Sequence, residues 1–159
     1  MEVTMALKKS LILFPLLALM LLGPRCSLSQ ETPAQRFMRQ HIVGAVPPST
    51  DTTYCDDMML RRHINEYSCK ESNSFVHTAP LSATAVCRER LTACRNGIVN
   101  CHKSVSAMYV TKCNLRGGSR YPNCEYRNNL VRAHIVVLCN DQTPPLPVHL
   151  DHLVYGPPQ

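Results

Sequence analysis

Residues 103–139 read KSVSAMYVTKCNLRGGSRYPNCEYRNNLVRAHIVVLC, and the reading of this stretch decides the fold. The segments KSVSAMYVTKCNL (103–115) and CEYRNNLVRAHIVVLC (124–139) are rich in β-branched and aromatic residues, with partial alternation of apolar and polar positions. Such residues pack well on a pleated, half-buried surface, so both segments are expected as strands. Between them RGGSRYP (116–122) is turn chemistry.

Upstream the pattern changes period. In PAQRFMRQHI (33–42) Pro33 suits a first helical turn, and Phe37 and His41 stand four apart on one face with Gln40 flanking. The stretch predicts a short helix over 33–42 carrying His41 on or beside its buried face. A second helix is expected from Tyr54 to about Ile64, with Met58 and Met59 filling core and Arg61 and Arg62 outward. A third is expected over LSATAVCRERL, Leu81 to Leu91. The Pro-, Ser- and Thr-rich GAVPPSTDTT (44–53) is expected as an exposed loop. Helices first and strands afterwards indicate an α+β domain, with helices packed on an antiparallel sheet.

Lys8 and Lys9 precede the apolar run LILFPLLALMLLG (11–23), and the small-residue pattern Ser27-Leu28-Ser29 follows. This is the layout of a secretory signal, here residues 1–29, with cleavage expected after Ser29. The run is too short for a comfortable transmembrane helix and Pro15 interrupts it. The expected product is a single domain, 30–159, exported to the extracellular space without a membrane anchor.

Removing the signal takes Cys26 with it and leaves eight cysteines, from Cys55 to Cys139. An even set in an oxidising compartment reads as four disulfides, although about a hundred pairings are possible and spacing alone selects none. Zinc is the weaker reading, because no two cysteines stand roughly two to four residues apart as finger and ribbon sites require.

The mature chain carries 14 Lys plus Arg, 11 of them Arg, against 10 Asp plus Glu, for a net charge of +4. Guanidinium groups grip phosphate bidentately, so the balance suits a polyanionic partner. There is no Trp and no polybasic run, which argues against a purely electrostatic binder of nucleic acid or membrane.

Two further stretches carry candidate chemistry. CKESNSFVH (69–77) sets Lys70 beside a cysteine, and LPVHLDHL (146–153) sets His149 two residues before Asp151. A carboxylate near an imidazole holds one tautomer and favours its charged form. RNA carries its own nucleophile, the 2′-hydroxyl. Its cleavage therefore needs only a neutral imidazole as base, an imidazolium as acid, and a fixed cation for the phosphoryl oxygens. His41, His149 and Lys70 are the candidates for these three roles. His77 and His134 lie in apolar surroundings and are expected to be structural, while His63 and His102 are expected at the surface. His149 and His152, three apart, lack a further ligand cluster for a metal clip.

QRFMRQH around His41, CKESNSFVH, LPVHLD and the cysteine intervals of 14, 18, 7, 7, 12, 11 and 15 together resemble the pancreatic-type secreted ribonucleases, over essentially the whole mature region. The resemblance implies three short helices on a kinked antiparallel sheet and disulfides Cys55–Cys113, Cys69–Cys124, Cys87–Cys139 and Cys94–Cys101. It implies His41 as general base, His149 as general acid and Lys70 as the cation that stabilises the transition state. It also implies substrate contacts from Arg36, Arg39, Gln40, Ser74, Arg95 and Asn100, with Asp151 orienting His149. Ser74 stands where the family has a threonine that reads the pyrimidine edge. The implied reaction is cleavage of single-stranded RNA after pyrimidines through a 2′,3′-cyclic phosphate, without metal or cofactor. A bell-shaped pH profile at about pH 6 to 7 would accompany two ordinary imidazoles. The implied partners are RNA and a cytosolic ribonuclease inhibitor protein, for a monomeric enzyme.

Leu150 departs from the family's usual Phe, and Asn114 from a cationic position beside which Lys112 adds a charge. HLVYGPPQ (152–159) exceeds the usual short tail. The RGGS turn and LPVHLD are similar to the angiogenin branch, but eight cysteines favour the pancreatic-like side. The competing reading is a cationic host-defence or angiogenin-like signalling protein whose ribonuclease activity is weak or incidental.

Overall fold

The computed structural model describes residues 29–156, and the compact unit runs from Glu31 onward. The predicted signal segment and its apolar run lie outside the described residues. Among the described residues three α-helices, Pro33–His41 (α1), Tyr54–Arg61 (α2) and Pro80–Ala85 (α3), accompany six strands. These are Ser72–His77 (β1), Leu91–Thr92 (β2), Cys101–Lys103 (β3), Met108–Leu115 (β4), Tyr126–Cys139 (β5) and Pro147–Tyr155 (β6). All are joined in one antiparallel sheet, in the order β1-β4-β5-β3-β2, with β6 also on β5. The α+β class, the three helices and all four disulfide pairings agree with the expectation.

The long strand β5 organises the site. Its first half, Tyr126 to Ala133, pairs with β4, and its second half pairs with β3 and β6. The β5–β6 ladder slips twice, between Val136 and Val137 and between Leu138 and Cys139. Val136 faces His152 and Val137 faces Leu150, so Asp151 is the extra residue of the first slip. An extra residue bends the strand and re-aims its side chains.

Two apolar clusters hold the helices to the sheet. Phe37, Ile42, Val76, Val86, Val110, Ile135 and Val137 bury α1 and the α3 region against β1, β4 and β5. Cys55, Met59, Phe75, Cys113 and Tyr126 form the second cluster under α2. The Cys55–Cys113 bridge lies within it and fixes α2 to β4 covalently.

Several local expectations need correction. The third helix stops at Ala85, and Val86–Arg88 continues as one 3₁₀ turn before the chain extends at Glu89. Cys87, bridged to Cys139, turns the chain towards β5 there. The second helix ends at Arg61 and not near Ile64, because His63 adopts a left-handed φ of 51°. Met59 is fully buried but Met58 only in part. Arg62 is not simply outward, since its guanidinium donates to the Arg39 carbonyl at 3.3 Å. His102 is half-buried, its Nδ1 2.7 Å from the Glu89 carbonyl. His77 and His134 bond Thr111 and the Ser104 carbonyl inside the fold.

Candidate active site

A cleft of about 700 Å³ runs between the end of α1, β1, β4 and β6, and His41, Lys70 and His149 all line it. Gln40, Ser74, Arg95 and Asp151 line it too, with Asn73, Lys112, His152 and Tyr155.

His41 is placed by its helix. Thr32 caps α1 in a reciprocal capping box with Gln35, and Pro33 opens the first turn. Phe37 anchors the helix in the core one turn before His41, their ring centroids 5.4 Å apart. The His41 Nδ1 lies 2.9 Å from the Ser74 carbonyl oxygen. A carbonyl only accepts, so Nδ1 carries the hydrogen and Nε2 keeps its lone pair. Burial lowers the His41 pKa to about 4, helped by the charges of Lys70 and His149 and opposed by the bond to Ser74. The ring is therefore a neutral base at neutral pH.

Lys70 is held on both sides. Cys69 is bridged to Cys124, the Lys70 N–H donates to Asn65 Oδ1 at 3.0 Å, and the buried Tyr126 hydroxyl donates to its carbonyl at 2.7 Å. Its ammonium donates to Asn73 Oδ1 at 3.1 Å, and loss of water lowers its pKa below the ordinary lysine value. Among the described residues no carboxylate lies within ion-pair distance of it. The charge is thus left uncompensated, as a phosphoryl-binding cation requires.

Asn73 was part of the CKESNSFVH motif, but the sequence offered no role for it. It is buried, and its Nδ2 donates to the Gln40 carbonyl at 2.8 Å while its Oδ1 takes the Lys70 ammonium. One amide therefore ties the helix that carries the imidazole to the lysine. The signal available in sequence was an amide three residues after a lysine, too common to single out.

His149 sits on β6 opposite Leu138, with a largely exposed side chain. Asp151 does not orient it by a hydrogen bond: Nε2 and Oδ1 are 3.9 Å apart. The Asp151 Oδ2 instead accepts from the Arg95 backbone N–H at 2.7 Å and lies 2.6 Å from His152 Nδ1. Burial pushes the Asp151 carboxyl up, but the bonds from His152 and Arg95 and the charges of His152 and His149 outweigh it, and its pKa is lowered. The slip in the β5–β6 ladder sets Asp151 and His152 at this kink, which the sequence does not display.

The remaining expected contacts divide. Gln40, Ser74 and Arg95 share the main cleft. Arg36 and Arg39 line a neighbouring depression that also reaches Gln40 and Lys70. The Arg39 guanidinium is occupied by Glu31, at 2.6 and 2.8 Å, and by the carbonyls of Arg62 and His63. Asn100 lies beside the Cys94–Cys101 bridge, outside both linings, its Oδ1 2.9 Å from a Cys94 sulfur that carries no hydrogen.

Imidazoles and ammonium groups lining one cationic cleft, in an α+β frame with four disulfides, are the features of a small acid–base nuclease. Residues 32–151 match the family described as pancreatic ribonuclease. The pancreatic ribonuclease of Uranomys ruddi is 45% identical over 150 residues, covering 94% of this chain and 100% of that protein. That of Acomys cahirinus is 46% identical over 147 residues, covering 92% and 98%. The chain belongs to the pancreatic ribonuclease family.

Proposed function

We propose that this cleft cleaves single-stranded RNA on the 3′ side of pyrimidines, with His41 as base, His149 as acid and Lys70 as the fixed cation. By family the chain is an endoribonuclease; these residue roles and the base preference are what the reading adds. The His41 Nε2 takes the proton of the 2′-hydroxyl as its oxygen attacks phosphorus. The Lys70 ammonium stabilises the charge that grows on the phosphoryl oxygens. The His149 imidazolium gives its proton to the departing 5′-oxygen, leaving a 2′,3′-cyclic phosphate. No electrons are exchanged with a cofactor in this sequence. Ser74, whose carbonyl fixes the base imidazole, offers its hydroxyl in the same cleft to a pyrimidine edge.

The observation that carries the reading is that His41, Lys70 and His149, scattered in sequence, line one cleft in which the first is a neutral base. We place the enzyme outside the cell, where the apolar N-terminal run would send it and where four disulfides persist. The test is cleavage of poly-cytidine by the mature protein with EDTA present, beside His149→Ala. Wild-type cleavage that is lost in the variant is expected. Equal activity in both, or none in either, would reject the assignment.

A further inference from the structure

β6 does not end where the family match ends. The match stops at Asp151, whereas the strand continues to Tyr155, which pairs with Ala133 of β5. Leu153 packs against the first apolar cluster and Val154 against Cys94, Cys101 and Val136, and these contacts anchor the extension. Tyr155 packs into neither cluster. The residue is 52% exposed, yet it lines the cleft that holds His41 and Ser74. The ring is also held at its tip. The Lys112 ammonium donates to the Tyr155 hydroxyl at 3.2 Å and lies 5.9 Å from the ring centroid. Lys112 in turn stands opposite Ser74 in the β1–β4 ladder.

A half-exposed aromatic ring beside a cation, carried on a paired strand in the cleft proposed to bind RNA, offers a surface on which a base stacks. Its place in the cleft says which base. His149 and Tyr155 pair with Leu138 and Ala133, five residues apart on β5, which sets them roughly 17 Å apart along the sheet. Under the proposed function, on which this inference rests, His149 marks the side of the departing 5′-oxygen and Ser74 the base of the cleaved nucleotide. From His41 through Ser74 and Lys112, the successive contacts lead away from that departing side to Tyr155.

We propose that Tyr155 is a stacking platform for the nucleobase immediately 5′ of the cleaved nucleotide. It binds purine or pyrimidine, because every base presents a π-face. The ring acts on binding and position only, and takes no proton and forms no bond in the reaction.

The experiment compares the mature enzyme on the dinucleotide CpA and the trinucleotide ApCpA. The ratio of kcat/KM for the longer to the shorter substrate should fall about 5- to 160-fold in Tyr155→Ala, the range expected for loss of one stacked base. Tyr155→Trp should keep it. An unchanged ratio in Tyr155→Ala would overturn the platform. So would a faster CpA reaction in that variant, which would make the ring a cover over the cleaved base. Calorimetric binding of non-cleavable ApdCpA against dCpA reads the same difference without catalysis. A wild type that cleaves neither substrate but binds ApdCpA more tightly through Tyr155 would therefore sink the nuclease assignment and leave the platform standing.

Discussion

Asn73→Ala tests whether the lysine is positioned by its amide. Two bonds are lost, 2.8 Å to the Gln40 carbonyl and 3.1 Å from the Lys70 ammonium. Leaving the carbonyl without its partner in a half-buried place costs about 1–3 kcal/mol of stability, measurable by urea unfolding. The activity cost has a different origin. Removing a preorganised transition-state donor altogether costs about 2.7–4 kcal/mol, and a displacement of about 1 Å alone costs up to about a hundredfold. Freeing the ammonium should therefore lower kcat/KM on poly-cytidine about 10- to 100-fold, or about 1.4–2.7 kcal/mol. A double-mutant cycle with Lys70→Ala separates the two effects. In the Lys70→Ala background the Asn73 substitution should cost less than about threefold in activity, while its stability loss persists. A full 10- to 100-fold loss in that background would show that Asn73 acts elsewhere, and the positioning argument would fail.

The pH dependence follows from His41, whose pKa is lowered to about 4, so the acid limb of kcat/KM should lie near pH 4 and not near the unperturbed value of about 6.5. Because the unfolded chain takes this proton at higher pH than the folded one, His41 should cost stability as pH falls from about 6.5 through 4, and an NMR titration of its ring reads both effects. Among the cross-links, replacing Cys55 and Cys113 by Ser opens a separation of 58 residues and should cost about 4 kcal/mol, against about 2.5 kcal/mol for Cys94 and Cys101, 7 apart. Guanidinium unfolding of the two variants checks the order.

β4 (Met108–Leu115) and β5 (Tyr126–Cys139) were legible within 103–115 and 124–139 because their apolar residues face a core, but the first segment is not one strand: 104–107 is a bend between β3 and β4, where the Ser104 hydroxyl donates to the Ser106 carbonyl and accepts from the Ile135 N–H. β6 was not, since Pro147–Tyr155 turns His149 and Asp151 towards the cleft and shows no clean apolar alternation. The helix at 33–42 could be read from Pro33 and the Phe37–His41 spacing, and its observed start and contact agree. Leu81 to Leu91 looked helical throughout, but the Cys87–Cys139 bridge and the extension at Glu89 overrode local propensity. Motifs identified His41, Lys70 and His149 individually. What joins or tunes them is an amide with two partners, a slipped ladder register and a histidine competing for Asp151. Each depends on residues distant in sequence or on backbone geometry, and none leaves a period or a spacing to find.

The 14-residue β5 serves both ends of the cleft at once, pairing Asn129 with Lys112 early and Leu138 with His149 late. Inserting or deleting one residue between those positions would reverse which way the later half faces while the earlier half stayed as it is. Leu138 would then point to the other side of the sheet, and the register that seats His149 would be lost. Length change is far less costly in the exposed stretches at 45–53 and 141–144. The lineage's freedom to grow or shrink therefore lies in its surface turns, and this central rod works as a ruler whose divisions cannot be recut.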